Sequence, residues 1–283
     1  MANERSRQLQ ELAARIAAAL PPIVEEVVLT GSVSRGVADE ISDIEMLFVT
    51  ATPLELAACF EIVSGLGFVD IDTWGVQGTE ASRVFGYYEG VPIETIWWSI
   101  DYAEASVTAL LSGEQSSSAE ALASGIALRT AGLLESWQQR LQVYPEAVAA
   151  ARIEEAAVAW GGFHPGGFLT LARPGERLAL IEYLSNDAAR VLRIVYALNR
   201  TWQPTSKRLA DRVQALPVKP ERLAERIEEA LTEPDALRAM LVMIELQADT
   251  VDIAPSGPNV DRARRWLREV IAVLREADES RET

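Results

Sequence analysis

The sequence predicts an α+β protein in two parts, a mixed sheet flanked by helices over residues 1–144 and an all-helical part over 145–283. Three observations predict this. Short apolar runs of strand length, bounded by turn residues such as Gly31-Ser32 and Glu89-Gly90, recur in the first half. Around Tyr144-Pro145 the character changes, and apolar residues thereafter recur at helical spacing. The chain, at 283 residues, is also long enough for two cores.

The first element is an amphipathic helix, because Leu9, Leu12, Ala13, Ile16 and Leu20 recur at helical intervals. Glu25–Thr30 reads as a short buried strand ending at Gly31-Ser32, followed by a polar loop from Val33 to Ser42. Asp43–Val49 reads as a second strand. Pro53 is expected to open a helix that closes near Gly65–Gly67. Val84–Tyr88 and Val91–Trp98 flank the turn pair Glu89-Gly90, which predicts a hairpin with Pro92 at the start of its second strand. Ser112–Ser118 is a polar break, Ile126–Thr130 a further short strand and Gly132–Leu141 a helix. Long helices are expected over Glu176–Asn199, Pro220–Leu231, Pro234–Thr250 and Val260–Ala277, punctuated by prolines that include Pro204.

Composition closes several function classes. With one cysteine, Cys59, and one histidine, His164, the chain lacks the ligands of an ordinary zinc site and cannot form an internal disulfide. His164 lies in the glycine-rich stretch 161–167 with no nucleophile elbow beside it, which reads as a loop residue. Catalysis would have to rest on carboxylates, hydroxyls, arginine and metal. A formal net charge of −16 argues against an extended nucleic-acid surface and suits a small cationic partner. No apolar stretch approaches the roughly 18 residues of a membrane span, and the charged residues among positions 1–20 argue against an export signal. The cytoplasm is the expected compartment.

The chemistry concentrates in Leu29-Thr30-Gly31-Ser32-Val33-Ser34-Arg35-Gly36 and Ser42-Asp43-Ile44-Glu45-Met46. Asp43 and Glu45 stand two apart on a predicted strand, so both project from one face while Ile44 and Met46 enter the core. Adjacent carboxylates repel unless a cation lies between them, and Mg²⁺ prefers such hard oxygen ligands. Gly31 permits close backbone approach to a phosphate, the Ser32 amide and hydroxyl can donate to it, and Arg35 can offer a bidentate fork.

Gly31-Ser32, a ten-residue spacer and Asp43-Ile44-Glu45 together resemble the signature of the polymerase-β-like nucleotidyltransferase superfamily. The resemblance covers about residues 23–98, and Glu45 stands where that family more often has Asp. It implies a third carboxylate on a later strand. Glu94 matches that place, whereas Glu89 lies in a turn and Asp101 beyond the strand. The implied activity is transfer of a nucleoside monophosphate from a nucleoside triphosphate, with ATP as the expected donor and two Mg²⁺ ions held by Asp43, Glu45 and Glu94. Gly31, Ser32 and Arg35 are then expected to bind the nucleotide.

Tyr196–Arg208 is similar to a segment of two-domain bacterial antibiotic nucleotidyltransferases, which implies a helical domain that closes over nucleotide and acceptor. Lys207 forms with Asn199, Arg200 and Arg208 a polar and basic cluster in an acidic chain, which reads as a triphosphate contact or as a solvated helix end. The expected acceptor is a small hydroxylated molecule, aminoglycoside-like or lincosamide-like, with Glu182 or Asp187 as the general base. The alternatives are modification of a protein or tRNA, as in toxin–antitoxin nucleotidyltransferases, and a catalytically inactive nucleotide-binding module. Trp97-Trp98, Trp160 and Trp202 can stack on a base or sugar, although large aromatics more often build the core.

Overall fold

A computed structural model describes residues 2–74, 81–114, 122–162, 164–203 and 207–282. The fold is α+β, and its contacts divide it into two compact units, Met1–Val143 and Tyr144–Thr283. In the first, α1 (Glu4–Ala19), β1 (Val24–Thr30), α2 (Gly31–Ser34), β2 (Ile44–Thr50), α3 (Leu56–Gly65), β3 (Val69–Trp74), β4 (Ala81–Tyr88), β5 (Val91–Ser99), α4 (Ile100–Ser112), β6 (Ile126–Arg129) and α5 (Leu133–Leu141) follow one another. The described strands form one six-stranded sheet in the order β3-β4-β5-β2-β1-β6. β2 and β5 run parallel, and every other neighbouring pair is antiparallel.

Both faces of the central strands are buried, as a sheet covered on two sides requires. Leu9, Ile16, Cys59 and Val63 from α1 and α3 pack with Val27, Leu29, Ile44, Met46, Phe48 and Trp97 on one face. Period-two alternation therefore sends Glu45 and Glu94 to the opposite face. The hairpin forms as its turn pair predicts, with Glu89 at φ 51° and Gly90 at φ 79°, the left-handed pair that a two-residue connection favours. Pro92 lies one position before Ile93, where β5 begins to pair with Ile44 of β2, so its missing N–H falls outside that ladder.

Several elements differ from expectation. The helix assigned to Pro53 begins at Leu56, because Glu55 remains extended at φ −62°, ψ 144°. The segment after β1 is a single helical turn, Gly31–Ser34, rather than loop alone. The helix expected from Pro234 starts at Ala236, where the Asp235 carboxylate accepts from the Leu237 and Arg238 amides. β3 and α4 were not expected at all. Positions 115–118 of the polar break, and Pro204, lie outside the described residues.

Two polar fixtures hold the first unit together away from its core. The Arg129 guanidinium donates to the carbonyls of Ala17, Leu20, Pro21 and Val24, closing the C-terminal end of α1. Glu26 is fully buried and its Oε2 accepts from the amides of Ala131 and Leu133, which fixes the start of α5. Cys59 is also buried, and burial pushes its thiol up to about 12. At pH 8 only about one molecule in ten thousand would carry the reactive thiolate. Folded protein is therefore expected to leave a thiol-exchange reagent unreacted until denaturant is added. Stoichiometric labelling of native protein would contradict this packing of α3.

The second unit contains α6 (Glu146–Ala157), a 3₁₀ segment (Pro165–Ala172), α7 (Arg177–Leu198), α8 (Leu209–Gln214), α9 (Leu223–Thr232), α10 (Ala236–Asp252) and α11 (Pro258–Glu282). Leu184, Val191, Val195, Met240, Met243, Ile244, Leu267 and Val270 share its core. Trp160 is buried there, and its Nε1 donates to Asp187 Oδ1. No described helix is long and apolar enough to cross a membrane.

Candidate active site

The register of the parallel pair assembles the site. Glu45 of β2 lies directly opposite Glu94 of β5, and Asp43 is the residue before Ile44, where β2 begins. Asp43, Glu45 and Glu94 each place a carboxylate oxygen within 4.8 Å of the others, and all three side chains are half-buried. Carboxylates so close raise one another's energy unless positive charge joins them. A guanidinium supplies part of it: Arg83 Nη1 donates to Glu94 Oε1 at 2.8 Å. The other side of that guanidinium rests on Trp74, 5.5 Å from its ring centroid.

Gly31 stands beside the cluster for a steric reason. Thr30 pairs with Glu45 across the β1–β2 ladder, so the chain turns out of β1 against the Glu45 side chain. Gly31 makes that turn at φ 70°, and a Cβ there would overlap the Glu45 carboxylate. Ser32 and Arg35 follow in α2 and at its end, both half-buried. The first helix ties this segment down. Asn3 N–H donates to Gly36 O, Gln10 Nε2 to Val33 O at 2.9 Å, and Ala38 N–H to Ser6 Oγ at 2.9 Å.

Three hard-oxygen side chains converging beside a glycine that leaves room for them suit a small divalent cation of the Mg²⁺ class. The donor set contains no sulfur or imidazole, which sets aside the softer transition metals by ligand chemistry.

Apart from Trp97 and Trp98, the remaining expected residues belong to the second unit. Lys207 lies just before α8. Of its expected neighbours, Arg200 commits its guanidinium to the Glu146 carboxylate through Nε at 2.8 Å and Nη2 at 2.5 Å. Asn199 bonds to the backbone of Val195 and Val218. Both hold the end of α7. Asp187 is 1% exposed, and its oxygens accept from Trp160, Arg190 and Gln247, an interior junction that leaves it poorly suited to take a proton from an acceptor. Glu182 is exposed on α7. Trp97 and Trp98 are buried, and Trp202 lies against Tyr144 with ring centroids 4.4 Å apart. His164 Nδ1 accepts from the Gly166 amide, a loop role.

Arg83 and Trp74 were missed, although the signal for Arg83 was present. A two-residue turn at Glu89-Gly90 pairs Tyr88 with Val91, which fixes Phe85 opposite Glu94 and leaves Arg83 diagonal to it. A diagonal separation is within reach of an arginine.

Comparison with known proteins adds three facts. A family model described as a domain of unknown function, DUF4037, matches residues 111–209, a stretch that spans the junction of the two units and excludes the three carboxylates. No curated protein matches the chain. The crystal structure of a nucleotidyltransferase-like protein from Exiguobacterium sibiricum 255-15 is similar over 95% of this chain and 92% of that one, at 10% identity and a TM-score of 0.45.

Proposed function

We propose that the first unit carries the active site of a metal-dependent nucleotidyltransferase, which moves a nucleoside monophosphate from ATP to a hydroxyl of a small, aminoglycoside-like acceptor. The observation that carries this reading is the convergence of Asp43, Glu45 and Glu94 within 4.8 Å beside the cradle at Gly31. Asp43, Glu45 and Glu94 would hold two Mg²⁺ ions, which supply neutralising charge at the triphosphate and a lowered pKa at the acceptor hydroxyl.

The chain's own part is placement. Gly31 and Ser32 receive the triphosphate, the glycine by giving backbone access and the serine by donating from its amide and hydroxyl. Arg35, at the end of the same turn, offers further positive charge to the phosphates. Glu94, two strands away from β1, would serve the acceptor hydroxyl. That hydroxyl releases its proton to water, its oxygen attacks the α-phosphorus in line as the bond to the bridging oxygen breaks, and pyrophosphate leaves. A net charge of −16 favours a cationic acceptor over a polyanion, which sets the small-molecule reading above modification of tRNA.

The deciding experiment incubates the protein with each labelled nucleoside triphosphate, Mg²⁺, and in turn a panel of aminoglycosides and lincosamides, tRNA and total protein. Label on a small acceptor, greatest with ATP, is the expected result. Label confined to macromolecules would replace the acceptor class. Nucleotide binding without transfer to any acceptor would favour a binding module.

A further inference from the structure

Glu94 has a partner that the metal chemistry does not require. Arg83 lies on the exposed outer face of β4, its guanidinium between the Trp74 ring and Glu94 Oε1. Trp74 is 74% exposed, so this aromatic does not belong to a core and has kept a cation on its face instead. One oxygen of the third carboxylate is thus engaged by an arginine that is itself braced.

Mg²⁺ and Ca²⁺ differ in what they ask of a carboxylate. Mg²⁺ demands near-octahedral geometry at about 2.0–2.1 Å, which a single oxygen per carboxylate satisfies. Ca²⁺ takes six to eight oxygens at about 2.3–2.6 Å and gains from carboxylates that chelate with both. We infer that Arg83, by occupying Glu94 Oε1, makes Glu94 a one-oxygen ligand and so biases the Asp43–Glu45–Glu94 cluster toward Mg²⁺ over Ca²⁺. Arg83 is then a positioning residue that acts through Glu94, with Trp74 as its brace. This rests on the reading of the cluster as a cation site.

The test uses the full chain and no substrate. Mn²⁺ binding is followed by the loss of its free-ion spin-resonance signal, and Mg²⁺ or Ca²⁺ is titrated as competitor. Wild type should bind Mn²⁺, weakened in Asp43→Asn, and release it more readily to Mg²⁺ than to Ca²⁺. In Arg83→Ala the Mg²⁺ affinity should fall about tenfold, as loss of a ligand-orienting partner commonly does, while Ca²⁺ affinity holds or rises. Equal changes for the two ions, or none, would overturn the inference and leave the cation site standing. Absence of Mn²⁺ binding in wild type would overturn the site and the inference together. Arg83→Lys keeps the charge but not the planar fork, and should recover less than half of the shift in selectivity. Full recovery would reduce Arg83 to a charge and overturn its positioning role, and circular dichroism confirms that each variant is folded.

Discussion

Asp43→Asn is expected to remove nucleotidyl transfer while leaving the fold intact. Asparagine is nearly isosteric with aspartate, so Ile44 keeps its place in the core and β2 keeps its register with β5. What is lost is a negative charge from a cluster held within 4.8 Å. Electrostatic groups of this kind are worth roughly 10³-fold in rate, about 4 kcal/mol of transition-state stabilisation. Removing one of three neighbouring carboxylates also relieves repulsion, so the thermal midpoint without metal should hold or rise. Rates near wild type at saturating Mg²⁺ would refute the role given to Asp43. A collapsed thermal midpoint would show that its carboxylate serves the fold instead.

Gly31→Ala should damage both stability and the cluster. The residue sits at φ 70°, where a side chain costs about 1–3 kcal/mol. The added methyl would also overlap the Glu45 carboxylate, which must then move away from Asp43 and Glu94. Gly67→Ala separates the two effects, since Gly67 is likewise left-handed at φ 95° but an added Cβ there meets nothing within 4 Å. Both variants should lose stability in urea, and only Gly31→Ala should also lose Mn²⁺ affinity. Unchanged Mn²⁺ binding in Gly31→Ala would show that Glu45 can yield without consequence.

What the sequence disclosed follows how local each signal is. The Glu89-Gly90 hairpin was legible because turn chemistry and the apolar runs beside it lie within fifteen residues of one another. The alternation of Ile44 and Met46 against Asp43 and Glu45 was legible for the same reason. β3 was not, because it is an edge strand whose residues are largely exposed, and Asp70 and Asp72 erase the apolar pattern. α4 was hidden by apolar continuity. Trp97-Trp98-Ser99-Ile100 passes from strand to helix without Gly or Pro, and the only punctuation is Ser99, whose hydroxyl caps the Tyr102 amide. The Arg200–Glu146 fork joins residues far apart in the chain, which no local pattern reveals.

The parallel pairing of β2 with β5 also governs the order in which the chain can acquire its site. The β4–β5 hairpin needs only a two-residue connection and can close within microseconds. Glu45 and Glu94, by contrast, meet only after the whole chain from α3 to β4 has been looped between them, a closure whose entropy must be met before any contact rewards it. A nascent hairpin therefore presents Glu94 and Arg83 together, already neutralising each other, before Asp43 and Glu45 arrive. The ion pair spares the early hairpin an isolated acid on its outer face, and the three carboxylates come together only when β5 docks on β2.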